Sequence, residues 1–268
     1  MRTRWRNLYL LCDDQNRIVA ALQKSLTALG YTLYDPFGLI PGKAYEQTAR
    51  IFVAPPMNHW TRILGDINDE NIPSLSGLGF LVSTAIREDA VEIIAYSDGE
   101  PVDVLSALAS HLRDGVTADD LQHALSGENV SATDSAEEAI PISALPQDVQ
   151  AMADQLNPKH VNKLFNKFMG KVGKRISGDG DSARDLLRGT APDWNSHSGQ
   201  TIRAVMDCLT IPRDYWRTPD FVTLRDAYQL HIRRQRKPDA RLYPGDAETM
   251  NAVPNALDYT PIYGGKNP

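Results

Sequence analysis

The sequence predicts an α+β N-terminal domain followed by a mostly α-helical C-terminal domain. Three observations carry this. Up to about residue 105 the apolar residues fall in short runs bounded by Gly, Pro, Asp and Asn, as strands and short helices require, and beyond residue 145 they recur at helical spacing. Residues 126–139 separate the two patterns, with four acids, no base and only one sizeable apolar side chain, a composition that buries too little to fold and reads as a linker. Charge divides at the same place: residues 1–144 carry 10 Lys+Arg against 20 Asp+Glu, and residues 145–268 carry 18 against 14. The expected organisation is an acidic α+β domain over 1–125, an acidic linker over 126–144, a basic helical domain over 145–240, and an extended Pro/Tyr-rich tail over 241–268.

In order, 7–12 reads as a short buried strand. Residues 15–29 follow as a helix, with Ile18, Val19, Leu22, Leu26 and Leu29 on one side and Gly30 closing it. Further strands are expected at 31–34, 49–54 and 60–64, the second ended by Pro55-Pro56. Residues 74–84 read as a helix. A hairpin is expected from 91–96 and 102–105, because Asp98-Gly99 supplies the positive φ angles of a tight turn. Two short helices at 106–113 and 118–125, the second capped by Thr117, complete the first half.

The second half opens with helices at 147–156 and 157–178. The latter is the most organised charged segment of the chain: Lys159, Lys163, Lys167 and Lys171 repeat every four residues, and with Lys174 and Arg175 they fall on one side of a helix. Val161, Leu164, Phe165, Phe168, Met169, Val172 and Ile176 fall mostly on the other. Asn157 is a good N-cap, Pro158 suits the first helical position, and Gly178 suits the C-terminal cap. Gly170 and Gly173 each weaken the interior by roughly 1 kcal/mol relative to Ala, so packing of the apolar face must hold the helix. Helices follow at 182–188 and 201–209, then a long one from 219 to about 237 capped by Thr218, with Phe221, Leu224, Tyr228 and Ile232 as its core stripe. That helix ends in a second basic cluster, Arg233, Arg234, Arg236 and Lys237. A short helix is expected in the tail after Asp246.

At 268 residues, 42% hydrophobic and 23% charged, the chain can bury a proper core without crosslinks. Cys12 and Cys208 lie far apart, show no C-x-x-C spacing, and read as buried thiols in a reducing cytoplasm. Arg2, Arg4 and Arg6 precede an apolar run of only 8–12, too short for a signal peptide. The weakly polar stretch 72–86 is too short to span a membrane. The expected location is cytoplasmic.

No motif calls for a cofactor or a metal. His59, His111, His123, His160, His197 and His231 are scattered, with no zinc spacing. Residues 177–182 place Asp179 and Asp181 in a glycine turn, but no later Glu completes a calcium loop. Gly77-x-Gly79 and Gly178-x-Gly180 lack the third glycine of a dinucleotide loop, and 74–77 is not a nucleophile elbow. Leu8-Tyr9-Leu10-Leu11-Cys12-Asp13-Asp14, followed by a helix and Gly30-Tyr31, resembles the first β-α unit of response-regulator receiver domains, which place an acidic pair there for Mg²⁺; the resemblance covers about a tenth of the chain. The next strand, 50–56, has no Asp where that family would need its phosphate acceptor, and Asp13 and Asp14 read as helix-capping residues.

The expected function is therefore binding rather than catalysis. Lys159, Lys163, Lys167, Lys171, Lys174, Arg175, Arg233, Arg234, Arg236 and Lys237 are the candidate partner-binding residues, for an acidic protein surface or nucleic acid. The plainer reading of these cations is a solvated face, or one resting near the acidic half. An enzyme with a site assembled from distant residues, or a structural subunit docked through the Pro/Tyr tail, are the alternatives.

Overall fold

The computed structural model describes residues 5–36, 45–87, 90–127, 194 and 196–267. The first run of apolar residues forms strand β1 (Trp5–Leu11), where Leu8 and Leu10 point to one face and Tyr9 to the other, all fully buried. Helix α1 (Gln15–Ala28) follows, started by the Asp14 carboxylate, which accepts from the Arg17 N–H at 2.9 Å. Ile18, Leu22 and Leu26 lie four residues apart and are the buried stripe of α1. The short strand β2 (Thr32–Leu33) then leads to β3 (Gln47–Val53) and β4 (Trp60–Gly65). Asn58 and His59, at φ +51° and +67°, turn the chain between β3 and β4.

A short helix α2 (Ile72–Ser76) precedes strand β5 (Leu81–Arg87). This corrects the single helix expected over 74–84. The helix stops at Gly77, and Leu81, Val82, Ser83, Thr84, Ala85 and Ile86 are all buried because β5 is covered on both faces. A strand buried on both sides has no polar alternation, so its apolar run mimics a buried helix. The expected hairpin is present as β6 (Ala90–Ser97) and β7 (Glu100–Val102), with Gly99 at φ +90° in its turn, but its second strand ends at Val102 instead of running over 102–105, because Asp103 caps a helix that begins at Val104. Helices α3 (Val104–Ala109) and α4 (Ala118–Ser126) follow. Thr117 caps α4, accepting from the Asp120 N–H while the Asp120 carboxylate accepts from the Thr117 N–H at 2.8 Å.

After residues 128–193 the described chain resumes with α5 (His197–Cys208), α6 (Arg213–Arg217) and α7 (Phe221–Arg236), then α8 (Asp246–Ala252) and a last strand, β8 (Thr260–Lys266). Helix α7 begins two residues later than expected. Asp220, not Thr218, is the cap, its carboxylate accepting from the N–H groups of Val222 and Thr223 at 3.0 Å each.

The eight described strands make one antiparallel sheet in the order β2-β8-β3-β4-β1-β5-β6-β7. On one face α1 and α2 cover Leu8, Leu10, Ile51, Val53, Ile63, Leu81 and Ile262. On the other, the helices α3 to α7 cover Tyr9, Phe52, Leu64, Val82 and Ile86 with Leu108, Leu121, Ile202, Val205, Met206, Trp216 and Leu224. The described residues are thus mixed α+β, in three layers. The linker expected over 126–144 falls almost wholly outside them. Described segments from either side of it share this sheet.

The tail supplies the least expected element. Strand β8 lies between β2 and β3, with Ile262 opposite Ile51 and Tyr263 opposite Arg50. Its outer edge is paired only in part: Thr32 and Leu33 match Gly265 and Gly264, and the Tyr263 carbonyl accepts from the Tyr34 N–H at 3.1 Å. Pro261, two residues earlier, faces the same edge, so the N–H it lacks is one that would otherwise have been left bare. Gly265 admits the ring of Tyr45 directly against its backbone, where a Cβ would fall inside that ring.

Candidate functional site

Of the ten predicted binding residues, Arg233, Arg234, Arg236 and Lys237 are described, and all four are exposed. Lys159, Lys163, Lys167, Lys171, Lys174 and Arg175 lie outside the described residues, as does the whole helix expected over 157–178. The described four stand at the C-terminal end of α7, whose inner face is anchored by Leu224 and Ala227 and by Phe221 and Tyr228 against the Phe52 ring, at 6.1 and 5.4 Å between centroids. Cations in a last helical turn are favoured by the negative end of the helix dipole, by about 0.3–1 kcal/mol each. Arg233 and Lys237, one turn apart, share a side of the helix with Arg236.

The chain then folds back on this end. Arg233 donates to the Arg241 carbonyl at 3.1 Å, and its guanidinium carbon stands 5.7 Å from the centre of the Tyr243 ring. Tyr243-Pro244-Gly245-Asp246 forms a tight turn, in which Pro244 takes the corner position and Gly245 adopts φ +93°. Two bonds clamp the turn: the Asp246 N–H donates to the Tyr243 carbonyl at 3.0 Å, and the Tyr243 N–H donates to the Asp246 carboxylate at 2.8 Å. The backbone of Tyr243 is consequently held in place while the residue remains 58% exposed. Residues 233–246 hold five cations, Arg241 being the fifth, against Asp239 and Asp246. Sequence reading marked the cations but not Tyr243; the Tyr-Pro-Gly-Asp turn signal beside them was the available clue.

Arg236 also approaches Asp35 at 4.0 Å, beside a groove of about 390 Å³ lined by Tyr34, Asp35, Tyr228, Pro261 and Tyr263. Burial raises the phenol pKa values of Tyr34, Tyr228 and Tyr263 above the ordinary tyrosine value.

A second polar constellation, unforeseen in the sequence, lies inside the core. Arg62 is 1% exposed and is held by neutral acceptors: its Nη1 donates to the Tyr215 carbonyl at 3.0 Å, and the Asn7 amide, turned with its oxygen toward the guanidinium, accepts from Nη2 at 2.9 Å. Tyr9 donates its hydroxyl to the Trp216 carbonyl at 2.9 Å. Burial pulls the guanidinium of Arg62 down from the usual arginine pKa, while the phenols of Tyr9, Tyr259 and Tyr215 and the Asp220 carboxylate oppose that shift. The Tyr215 hydroxyl accepts from the Arg62 N–H at 2.7 Å and donates to the Pro55 carbonyl at 2.8 Å. It fills the rung that β3 and β4 leave unmade where Pro55-Pro56 turns the chain away. This constellation ties α6 to the sheet and has no opening to solvent at Arg62, so it is structural.

The acidic pair that resembled a receiver site is engaged by the fold itself. Asp14 caps α1, and Asp13 stands 2.6 Å from His59 Nδ1. His111 stacks on Phe80 at 4.7 Å and meets Trp60 edge-on at 5.6 Å, and burial lowers its pKa. Both cysteines are free, Cys208 buried and Cys12 half-buried, and burial raises the Cys208 thiol pKa. Among the described residues no three His, Cys, Asp or Glu side chains gather as a metal site, and no helix is long and apolar enough to cross a membrane. No protein-family model matches the chain, nor does any curated protein or solved structure.

Proposed function

We propose that this chain acts by binding an anionic partner through its basic residues, without chemistry of its own. The observation that supports this is the exposed cluster Arg233, Arg234, Arg236 and Lys237, continued by Arg241 beyond the end of α7. The helix dipole accounts for cations in the last turn; it does not account for Arg241. The whole chain carries a net charge of −6, so a local excess of cations is a feature of this surface and not of the composition. Lys159, Lys163, Lys167, Lys171, Lys174 and Arg175 would extend the same function.

The test is retention of the full chain on an immobilised polyanion such as heparin. Reversal of Arg234 and Lys237 to Glu is expected to lower the eluting salt concentration, and reversal of Lys163, Lys167 and Lys171 to lower it further. Elution unchanged by both sets of reversals would sink the proposal.

A further inference from the structure

The clamped Tyr243 says more about the partner than the cations do. A cluster of lysines and arginines attracts any polyanion, whereas an aromatic ring held at the surface among them selects a partner with flat faces to stack. We infer that the surface formed by the end of α7 and the Tyr243 turn binds single-stranded nucleic acid, with Tyr243 as a stacking platform for an unpaired base and Arg233, Arg234, Lys237 and Arg241 along the phosphates. The inference rests on the binding function proposed above and names its partner class.

Three features support it. Tyr243 is more than half exposed at 58%, although tyrosine gains by burying its apolar body. The Pro244-Gly245 turn and the two Asp246 bonds fix its backbone, so the ring projects from a defined point of the surface. Arg233 stands over the ring, polarising it from one side and leaving its exposed surface for a base, in the arrangement of cation and aromatic that single-strand binders combine. A duplex keeps its bases stacked inside and offers Tyr243 nothing to stack on. An acidic protein surface would meet the cations but would leave the ring facing carboxylates.

Because stacking and phosphate contacts read no base edge, binding is expected to tolerate any sequence and to weaken steeply with salt. Four phosphate contacts on a single strand give a log–log salt slope of up to about −2.8.

The experiment is fluorescence anisotropy of the full-length chain with labelled oligo-dT and oligo-U of about 20 nucleotides, a duplex of equal length, and poly-glutamate. The expected result is tightest binding to the single strands. Tyr243→Ala is expected to weaken single-strand binding about five- to 150-fold and Tyr243→Phe to preserve it. The Arg234→Glu/Lys237→Glu double variant is expected to weaken binding to every polyanion and to flatten the salt slope. Unchanged thermal midpoints would show that these exposed substitutions leave the fold intact. If Tyr243→Ala binds single strands as the parent does while the double variant fails, the stacking inference is overturned and the anion-binding function stands. Equal or tighter binding of duplex or poly-glutamate overturns it likewise. No binding to any polyanion overturns both.

Discussion

Replacing Tyr215 by Phe removes one oxygen atom from the core and tests how the second half of the chain is fastened to the sheet. The hydroxyl sits between two main-chain groups, accepting from the Arg62 N–H at 2.7 Å and donating to the Pro55 carbonyl at 2.8 Å. Tyr215 is 6% exposed and Arg62 1%, so water cannot replace the oxygen at the Arg62 N–H without opening the structure. An unsatisfied buried donor or acceptor costs about 1–3 kcal/mol. Pro55 is half-buried, so its carbonyl regains part of its hydration and the two losses do not add in full. The expected destabilisation is about 2–4 kcal/mol. For a chain of this size that lowers the thermal midpoint by about 5–15 °C. Urea denaturation followed by circular dichroism should show a lower midpoint at an unchanged slope. Tyr243→Phe, at an exposed position, is the matched control and should have no effect. A loss below about 0.5 kcal/mol for Tyr215→Phe would refute the reasoning, because it would mean that the rung is filled by something other than this hydroxyl.

Three further outcomes are expected. Asp220→Ala removes the cap that starts α7 and should cost about 1–2 kcal/mol by urea denaturation; an unchanged midpoint would mean that the cap lies elsewhere. Gly265→Ala places a methyl group inside the space of the Tyr45 ring and should cost about 1–3 kcal/mol, most of it recovered in a Gly265→Ala/Tyr45→Ala double variant. Burial beside Phe80 and Trp60 holds the His111 pKa below its unfolded value, so the unfolded chain takes the proton first as pH falls. The stability that neutral His111 supports is complete above the ordinary histidine pKa of about 6.5 and declines as pH drops toward the folded value. Thermal melts from about pH 7.5 to 5 should therefore show a shallower acid-side loss for His111→Phe than for the parent; parallel curves would remove His111 from the account.

Several local signals in this sequence were sound, though the cap expected at Thr218 lies at Asp220. The stripe of Ile18, Leu22 and Leu26, the Asp98-Gly99 turn and the Thr117 cap each depend on neighbours within a few positions, and each appears where its spacing places it. The arginine cluster at the end of α7 was legible for the same reason. Strand β5 was not, because burial on both faces erases the alternation that marks a strand, and burial is a property of what packs above and below.

The tertiary structure alone decided three things. It set β8, from the last residues of the chain, beside β3 near the first, where Gly264 and Gly265 permit Tyr31 and Tyr45 to press against the backbone. It buried Arg62 among Asn7, Tyr9 and Tyr215, the last of them 153 positions along the chain from Arg62. It also brought the Tyr243 turn against Arg233, turning a row of cations into a surface with an aromatic face. The sequence by itself determined many of the local elements, the caps of α1 and α4 and the sites of excess charge, since helix and turn preferences act over three or four residues; the cap of α7 fell at Asp220 and not at Thr218. Pairings across the sheet and side chains that meet through the fold depend on contacts between distant residues, and a single sequence carries no spacing rule for those.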